Sequence, residues 1–167
     1  MNYSYFVSIN ADNCRGCKTC EMACSISNVK ECSPTRSRIR AIRNIQDGTL
    51  YAAPAVCQQC EDPICQAVCP VSAIYKDQET GAKLVDEDKC LGCRRCVYAC
   101  PFGGCTVDAE TKVSTKCTLC DGEPNCVKFC PFDALEYLRS DKLDIHHKRN
   151  ANKLILDSQA VAAHSKK

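Results

Sequence analysis

Cysteines fall in fours along this chain. The first set is Cys14-x2-Cys17-x2-Cys20-x3-Cys24, and the second, Cys57-x2-Cys60-x4-Cys65-x3-Cys69, runs into Pro70. The third is Cys90-x2-Cys93-x2-Cys96-x3-Cys100 before Pro101, and the fourth is Cys117-x2-Cys120-x5-Cys126-x3-Cys130 before Pro131. These quartets take sixteen of the eighteen cysteines and leave Cys32 and Cys105 over. Thiolates are soft ligands suited to zinc and to iron–sulfur centres, and a cubane of iron and sulfide offers four iron corners. Three cysteines in one short loop can cap a face of such a cube, whereas the fourth must arrive from elsewhere. Proline directly after the last cysteine disfavours the α region there and supplies no N–H, so the chain turns away from the site.

The third quartet with its proline reads as the run C-x2-C-x2-C-x3-C-P of two-cluster bacterial ferredoxins, and the others change one gap or the final proline. Ser25 follows the first quartet where the others have proline. Zinc is the competing reading, but zinc ribbons and knuckles use two close pairs per ion at longer separations. A disulfide framework fits worse, since neighbours two residues apart are awkward to bridge with proper geometry. Gly16 and Gly92 precede the second cysteine of their loops, where a positive φ or close backbone approach costs glycine little. Gln59 and Leu119 hold the equivalent places, so glycine helps there without being required. Arg15, Lys18, Arg94, Arg95, Lys116 and Lys128 lie in or beside the ligand loops, where positive charge would favour a reduced cluster. Cys32 and Cys105 are expected to be small buried apolar groups.

Short elements must position these loops. Ala73 to Asp86, with Glu79-Thr80-Gly81 at its middle, reads as a β-hairpin between the second and third quartets. That spacing is the one between the halves of a single two-cluster ferredoxin. The crossed-ligand rule then gives one cluster Cys57, Cys60, Cys65 and Cys100, and another Cys90, Cys93, Cys96 and Cys69. Tyr5 to Ile9 and Ala134 to Leu138 read as strands able to pair. Helical turns are expected over Lys18 to Ser27 and Arg94 to Ala99. After Asp141 cysteine vanishes, and a tail with a helix near Asn152 to Ala163 follows, its apolar face suited to docking on a partner. His146 and His147 have no metal-ligand spacing.

The composition agrees with an interior filled by inorganic groups. There is no Trp, and aromatic residues make up 6% of the 167-residue chain, a thin supply of large side chains. The formal charge of +2 counts thiols as neutral; four oxidised clusters with their thiolates, about −2 each, would bring it to about −6. The scattered Lys and Arg residues then serve as counter-charge, and nucleic-acid binding is not expected. The N-terminal residues lack the basic start, apolar stretch and twin arginine of export signals, and no membrane span is visible. A reducing cytoplasm is the expected location.

Taken together, the quartet order and gaps, the stretch Ser33-Pro34-Thr35-Arg36-Ser37-Arg38-Ile39-Arg40, Cys57-Gln58-Gln59-Cys60 and Cys100-Pro101-Phe102-Gly103 resemble the four-cluster subunits of the dimethyl sulfoxide reductase iron–sulfur family. Within it the chain looks most like the small electron-transfer subunit of tungsten aldehyde:ferredoxin oxidoreductase and benzoyl-CoA reductase type complexes. The resemblance implies four [4Fe–4S] clusters, with the first quartet crossed with the fourth: Cys14, Cys17, Cys20 with Cys130, and Cys117, Cys120, Cys126 with Cys24. It implies an α+β fold of two interleaved ferredoxin-like modules, 1–31 with 106–140 and 50–105, joined by 32–49 and followed by the tail 141–167. It also implies a subunit that is no enzyme by itself and relays single electrons. The expected partners are a catalytic tungsten or molybdenum pterin subunit and a flavin subunit or ferredoxin. A free-standing polyferredoxin shuttle, a carrier of a hydrogenase, formate or carbon monoxide dehydrogenase complex, and a maturation or sensing protein with structural clusters are the alternatives.

Overall fold

Strands of three to eight residues and helices of one to three turns are all that the quartet loops leave room for. The computed structural model describes residues 4–142. Their order is β1 (Tyr5–Ile9), α1 (Thr19–Val29), β2 (Ile39–Gln46), β3 (Thr49–Val56), α2 (Ile64–Ala67), β4 (Ile74–Lys76), β5 (Lys83–Val85), α3 (Arg95–Ala99), β6 (Cys105–Val107), β7 (Ser114–Lys116), α4 (Asn125–Lys128) and β8 (Leu135–Arg139). The strands form two-stranded antiparallel ribbons, β1 with β8, β2 with β3, β4 with β5 and β6 with β7. The expected tail helix and its docking face lie outside the described residues.

The outermost strands close the fold. Tyr5 stands opposite Arg139 and Ile9 opposite Leu135. Val7 is fully buried between them, and the rings of Tyr5 and Tyr137 stack at 5.1 Å. The hairpin between the second and third quartets is β4–β5, with Ile74 opposite Val85. Helix α1 packs on α4 and α2 on α3, so the first quartet meets the fourth and the second meets the third.

Three features depart from the expected elements. Helix α1 runs past Ser27 to Val29 because Cys24 has no proline after it; the helix stops at Lys30, whose φ of 61° and N–H to the Ile26 carbonyl close the last turn. The segment 32–49 is more than a connector, since its second half is strand β2, turned at Asp47-Gly48 (φ 51° and 75°) into β3. Positive φ at both central residues is what a type I′ hairpin demands. The third is β6–β7, a hairpin between the third and fourth quartets matching β4–β5 in position.

One ion pair ties the stretch before β2 to the loop of β6–β7. Arg36 Nε donates to Asp108 Oδ2 at 2.7 Å, and Arg36 Nη1 reaches Glu110 at 2.8 Å. The N–H groups of Thr111 and Glu110 donate to Asp108 Oδ1. The Thr111 amide, followed by the Arg36 guanidinium, holds the Asp108 carboxyl down at about 2. Because the folded value is depressed, the stabilisation is full above the unfolded carboxylate range and is lost as pH falls from about 4 toward about 2. Asp108→Asn is expected to cost about 1–2 kcal/mol. Anaerobic thermal melts should show the same deficit at pH 8 and pH 5.

Candidate iron–sulfur sites

Each of the quartet loops reaches its second cysteine through a left-handed residue. Gly16, Gln59, Gly92 and Leu119 have φ of 61°, 51°, 63° and 58°. The conformation recurs although the residue type does not, and a non-glycine residue held there costs about 1–2 kcal/mol. Gln59 is buried and locked on both sides, its Nε2 donating to the Cys117 carbonyl at 2.7 Å and its Oε1 accepting from Lys83 N–H at 2.7 Å. Leu119 is fully buried in the core with Val7, Ile39, Val56 and Leu135. In the fourth quartet the left-handed backbone continues from Leu119 through Cys120 and Asp121 to Gly122.

These turns carry the sulfurs around small voids. Cys14, Cys17, Cys20 and Cys130 line one, with Ala41, Pro54 and Leu135 behind them. Cys24, Cys117, Cys120 and Cys126 line a second. Cys69, Cys90, Cys93 and Cys96 line a third. In the remaining set Lys116 Nζ touches Cys57 and Cys65 Sγ, and Gly104 lies against Cys57 while donating to Cys100 Sγ; burial, followed by the charge of Cys57, pushes the Cys60 thiol up.

Donors aim at the sulfurs. In each of the three quartets ending in proline, the N–H four residues after the last cysteine or its equivalent donates to sulfur: Ala73 to Cys69, Gly104 to Cys100 and Ala134 to Cys130, each at 3.3 Å. Cys24, inside α1, cannot use that device and takes the Arg38 N–H at 3.3 Å. Gly16 donates to Cys14 and Leu119 to Cys117, both at 3.4 Å, and Ser114 donates to Cys90 at 3.3 Å. Amides directed at sulfur favour the thiolate form that iron requires.

Among the described residues no three His, Cys, Asp or Glu side chains converge to hold a single metal ion. In three of the sets the sulfurs surround a space, with apolar side chains and backbone N–H groups at its wall. That donor set, four thiols from two loops around a void, fits a [4Fe–4S] cluster.

Several participants carry little signal in the sequence. Lys116, one of six basic residues near the loops, is buried, its Nζ 3.2 Å from Cys57 Sγ and 3.6 Å from Cys65 Sγ, whereas Arg15, Lys18, Arg94, Arg95 and Lys128 are exposed. Burial works against its charge, but the sulfur charges beside it, Cys57 foremost, outweigh burial and push its pKa up. Cys105 is 2% exposed, in accord with expectation, and packs in one buried cluster with Cys65, Ile74 and Cys96. Cys32 is exposed, contrary to expectation, because it sits in the turn after α1 with polar neighbours Glu31 and Ser33. Glu21, fully buried between Cys20 and Met22, accepts the Ala41 N–H at 2.7 Å and pins α1 to β2.

Cysteine sets of this kind on short ribbons and one-turn helices are those of a ferredoxin-type iron–sulfur protein. The 4Fe–4S dicluster domain matches residues 48–140, and a 4Fe–4S binding domain matches residues 11–28. The B subunit of the anaerobic dimethyl sulfoxide reductase of Escherichia coli (strain K12) is 36% identical, the match covering 88% of this protein and 79% of that subunit. The polyferredoxin-like subunit of the aliphatic sulfonate oxidoreductase of Pyrococcus furiosus is 37% identical, covering 75% and 70%. A solved structure of the active site complex BamBC of benzoyl coenzyme A reductase with benzoyl-CoA matches at a TM-score of 0.49 and 23% identity, covering 95% and 98%. The chain belongs to the 4Fe–4S dicluster family and carries several [4Fe–4S] clusters.

Proposed function

We propose that this chain is the electron-transfer subunit of an oxidoreductase complex and holds four [4Fe–4S] clusters. The ligand sets are Cys14, Cys17, Cys20 and Cys130; Cys57, Cys60, Cys65 and Cys100; Cys90, Cys93, Cys96 and Cys69; and Cys117, Cys120, Cys126 and Cys24. The observation that carries this reading is the crossing itself: each of three voids unites three cysteines of one quartet with the last cysteine of its partner. A bound cluster of this kind takes up and gives back one electron.

The residues order the four sites. Cys105 packs with Cys65 and Cys96 in one buried cluster, and α2 lies against α3, joining the second set to the third. The Gln59 side chain joins the second loop to Cys117 of the fourth. Cys20, Cys24 and Cys126 share one buried cluster, and α1 lies against α4, bringing the fourth set against the first. A line of neighbours results, first, fourth, second, third, with an end at each extremity of the protein for a different partner. Modules 1–31 with 106–140 and 50–105 are the units this line connects.

The catalytic partner is proposed to be a molybdenum or tungsten pterin subunit, with a flavin subunit or ferredoxin at the other end, in the cytoplasm. Among the described residues no helix is long and apolar enough to cross a membrane. Exposed apolar side chains on both faces of β2–β3, Ile42 and Tyr51 on one and Ile45 and Leu50 on the other, favour a bound subunit over a freely diffusing shuttle. Anaerobic purification from native extract should yield about sixteen irons and sixteen labile sulfides per chain. The same preparation should elute as a complex with a larger subunit that contains molybdenum or tungsten. Elution as a lone small protein would leave the shuttle; zinc in place of iron would end both readings.

A further inference from the structure

From its burial and its contact with two sulfurs of one set, we propose that Lys116 raises the potential of the cluster held by Cys57, Cys60, Cys65 and Cys100, making it more easily reduced than its neighbours in the line. The inference rests on the ligand sets proposed above.

Lys116 is 5% exposed, at the end of β7 beside Cys117, yet its side chain crosses to the second quartet. Its Nζ stands 3.2 Å from Cys57 Sγ and 3.6 Å from Cys65 Sγ. Burial and sulfur contact together set it apart from the other basic residues near the loops. Arg15, Lys18, Arg94, Arg95 and Lys128 flank other ligands but are exposed, where water and salt screen them. Lys83 is buried near Cys57 and Cys60, and its backbone N–H is held by Gln59 Oε1.

Adding one electron takes a cluster with its four thiolates from about −2 to about −3. A fixed positive charge against two of those thiolates stabilises the added negative charge more than it stabilises the oxidised form. Its N–H donors also withdraw electron density from the sulfurs, which acts in the same direction. In a solvent-poor interior both effects exceed what an exposed lysine can exert. The site sits between the fourth and third sets in the line, so Lys116 sets the depth of an interior step.

The test is a dithionite titration of anaerobically purified full-length protein, each electron supplied by the reductant and followed by electron paramagnetic resonance. Lys116→Met removes charge and donors, Lys116→Gln removes charge only, and Lys116→Arg keeps both. Lys116→Met is expected to lower the reduction equilibrium constant of one cluster at least tenfold, about 59 mV for one electron, and leave the other three in place. Lys116→Gln should show the same shift in reduced size, Lys116→Arg a value near wild type, and Lys128→Met no shift. Unchanged potentials in both neutral variants with full iron overturn the proposal, as does an equal shift from Lys128→Met. Loss of about four irons in both neutral variants, restored in Lys116→Arg, also overturns it, by making Lys116 a structural counter-ion. Wild-type protein without about sixteen irons would instead fail the ligand sets, independently of Lys116.

Discussion

Stripped of iron and sulfide, the chain is expected to lose its fold altogether. The reason lies in how little else holds the loops. The ribbons are two-stranded, and β4–β5 and β6–β7 contribute three residues per strand, a size that is marginal at best in water. Helices α2 and α4 have four residues each, below any length that persists alone. One of the two buried clusters consists of Cys65, Ile74, Cys96 and Cys105, so three of its four members are cysteines. With clusters bound, the sulfurs are cross-linked through iron; without them, they become thiols around empty spaces. Burial holds the Cys117 thiol up at about 12, so an apoprotein that stayed folded would keep neutral, weakly interacting groups where the holoprotein has bonds. Metal-site energies of order 10 kcal/mol per site match or exceed the ~5–15 kcal/mol net stability of a typical domain. Anaerobic oxidation with a chelator should therefore abolish both the β signal in circular dichroism and any cooperative melt. An apoprotein that still melted cooperatively would show that side-chain packing suffices.

How much of this could be read beforehand follows from where each signal resides. The quartets, the closing strands around Val7 and Leu135, and the hairpin at Ile74 to Val85 rest on local spacing and alternation, which sequence carries directly. Hairpin β2–β3 also has a local mark, Asp47-Gly48, but Arg40, Arg43 and Pro54 disguise its strands, and its exposed apolar residues do not alternate in register with a core. The brevity of β6–β7 conceals it. Gly16 and Gly92 mark a left-handed position by residue type; Gln59 and Leu119 occupy the same conformation by tertiary means, through hydrogen bonds and burial that only the folded chain supplies. Lys116 and Cys105 belong to the same kind. Their roles depend on reaching across to Cys57, Cys65 and Cys96, and nothing in their neighbours along the chain distinguishes Lys116 from Lys128 or Cys105 from Cys32.

Gly92→Ala is expected to remove the site of Cys69, Cys90, Cys93 and Cys96 outright. The left-handed φ of 63° is not the obstacle, because Gln59 and Leu119 bear side chains at the same point of their loops. What differs is the wall. A Cβ on Gly92 would lie well inside contact distance of the Lys112 carbonyl oxygen, a backbone atom in the β6–β7 turn that has no rotamer to yield. Relief requires that turn or the Cys90–Cys93 loop to move, and both carry the site: Ser114 N–H donates to Cys90 Sγ, and the Ser114 hydroxyl lies 3.1 Å from Cys96 Sγ. At Gly48, by contrast, φ is 75° and a Cβ meets nothing, so Gly48→Ala should cost only the ~1–2 kcal/mol of a left-handed residue and keep every iron. Gly92→Ala should fall from about sixteen to about twelve irons per chain, with sulfide falling in step. Retention of all sixteen would mean that the loop can shift without releasing its ligands, and that the close approach of Lys112 is not what shapes this site.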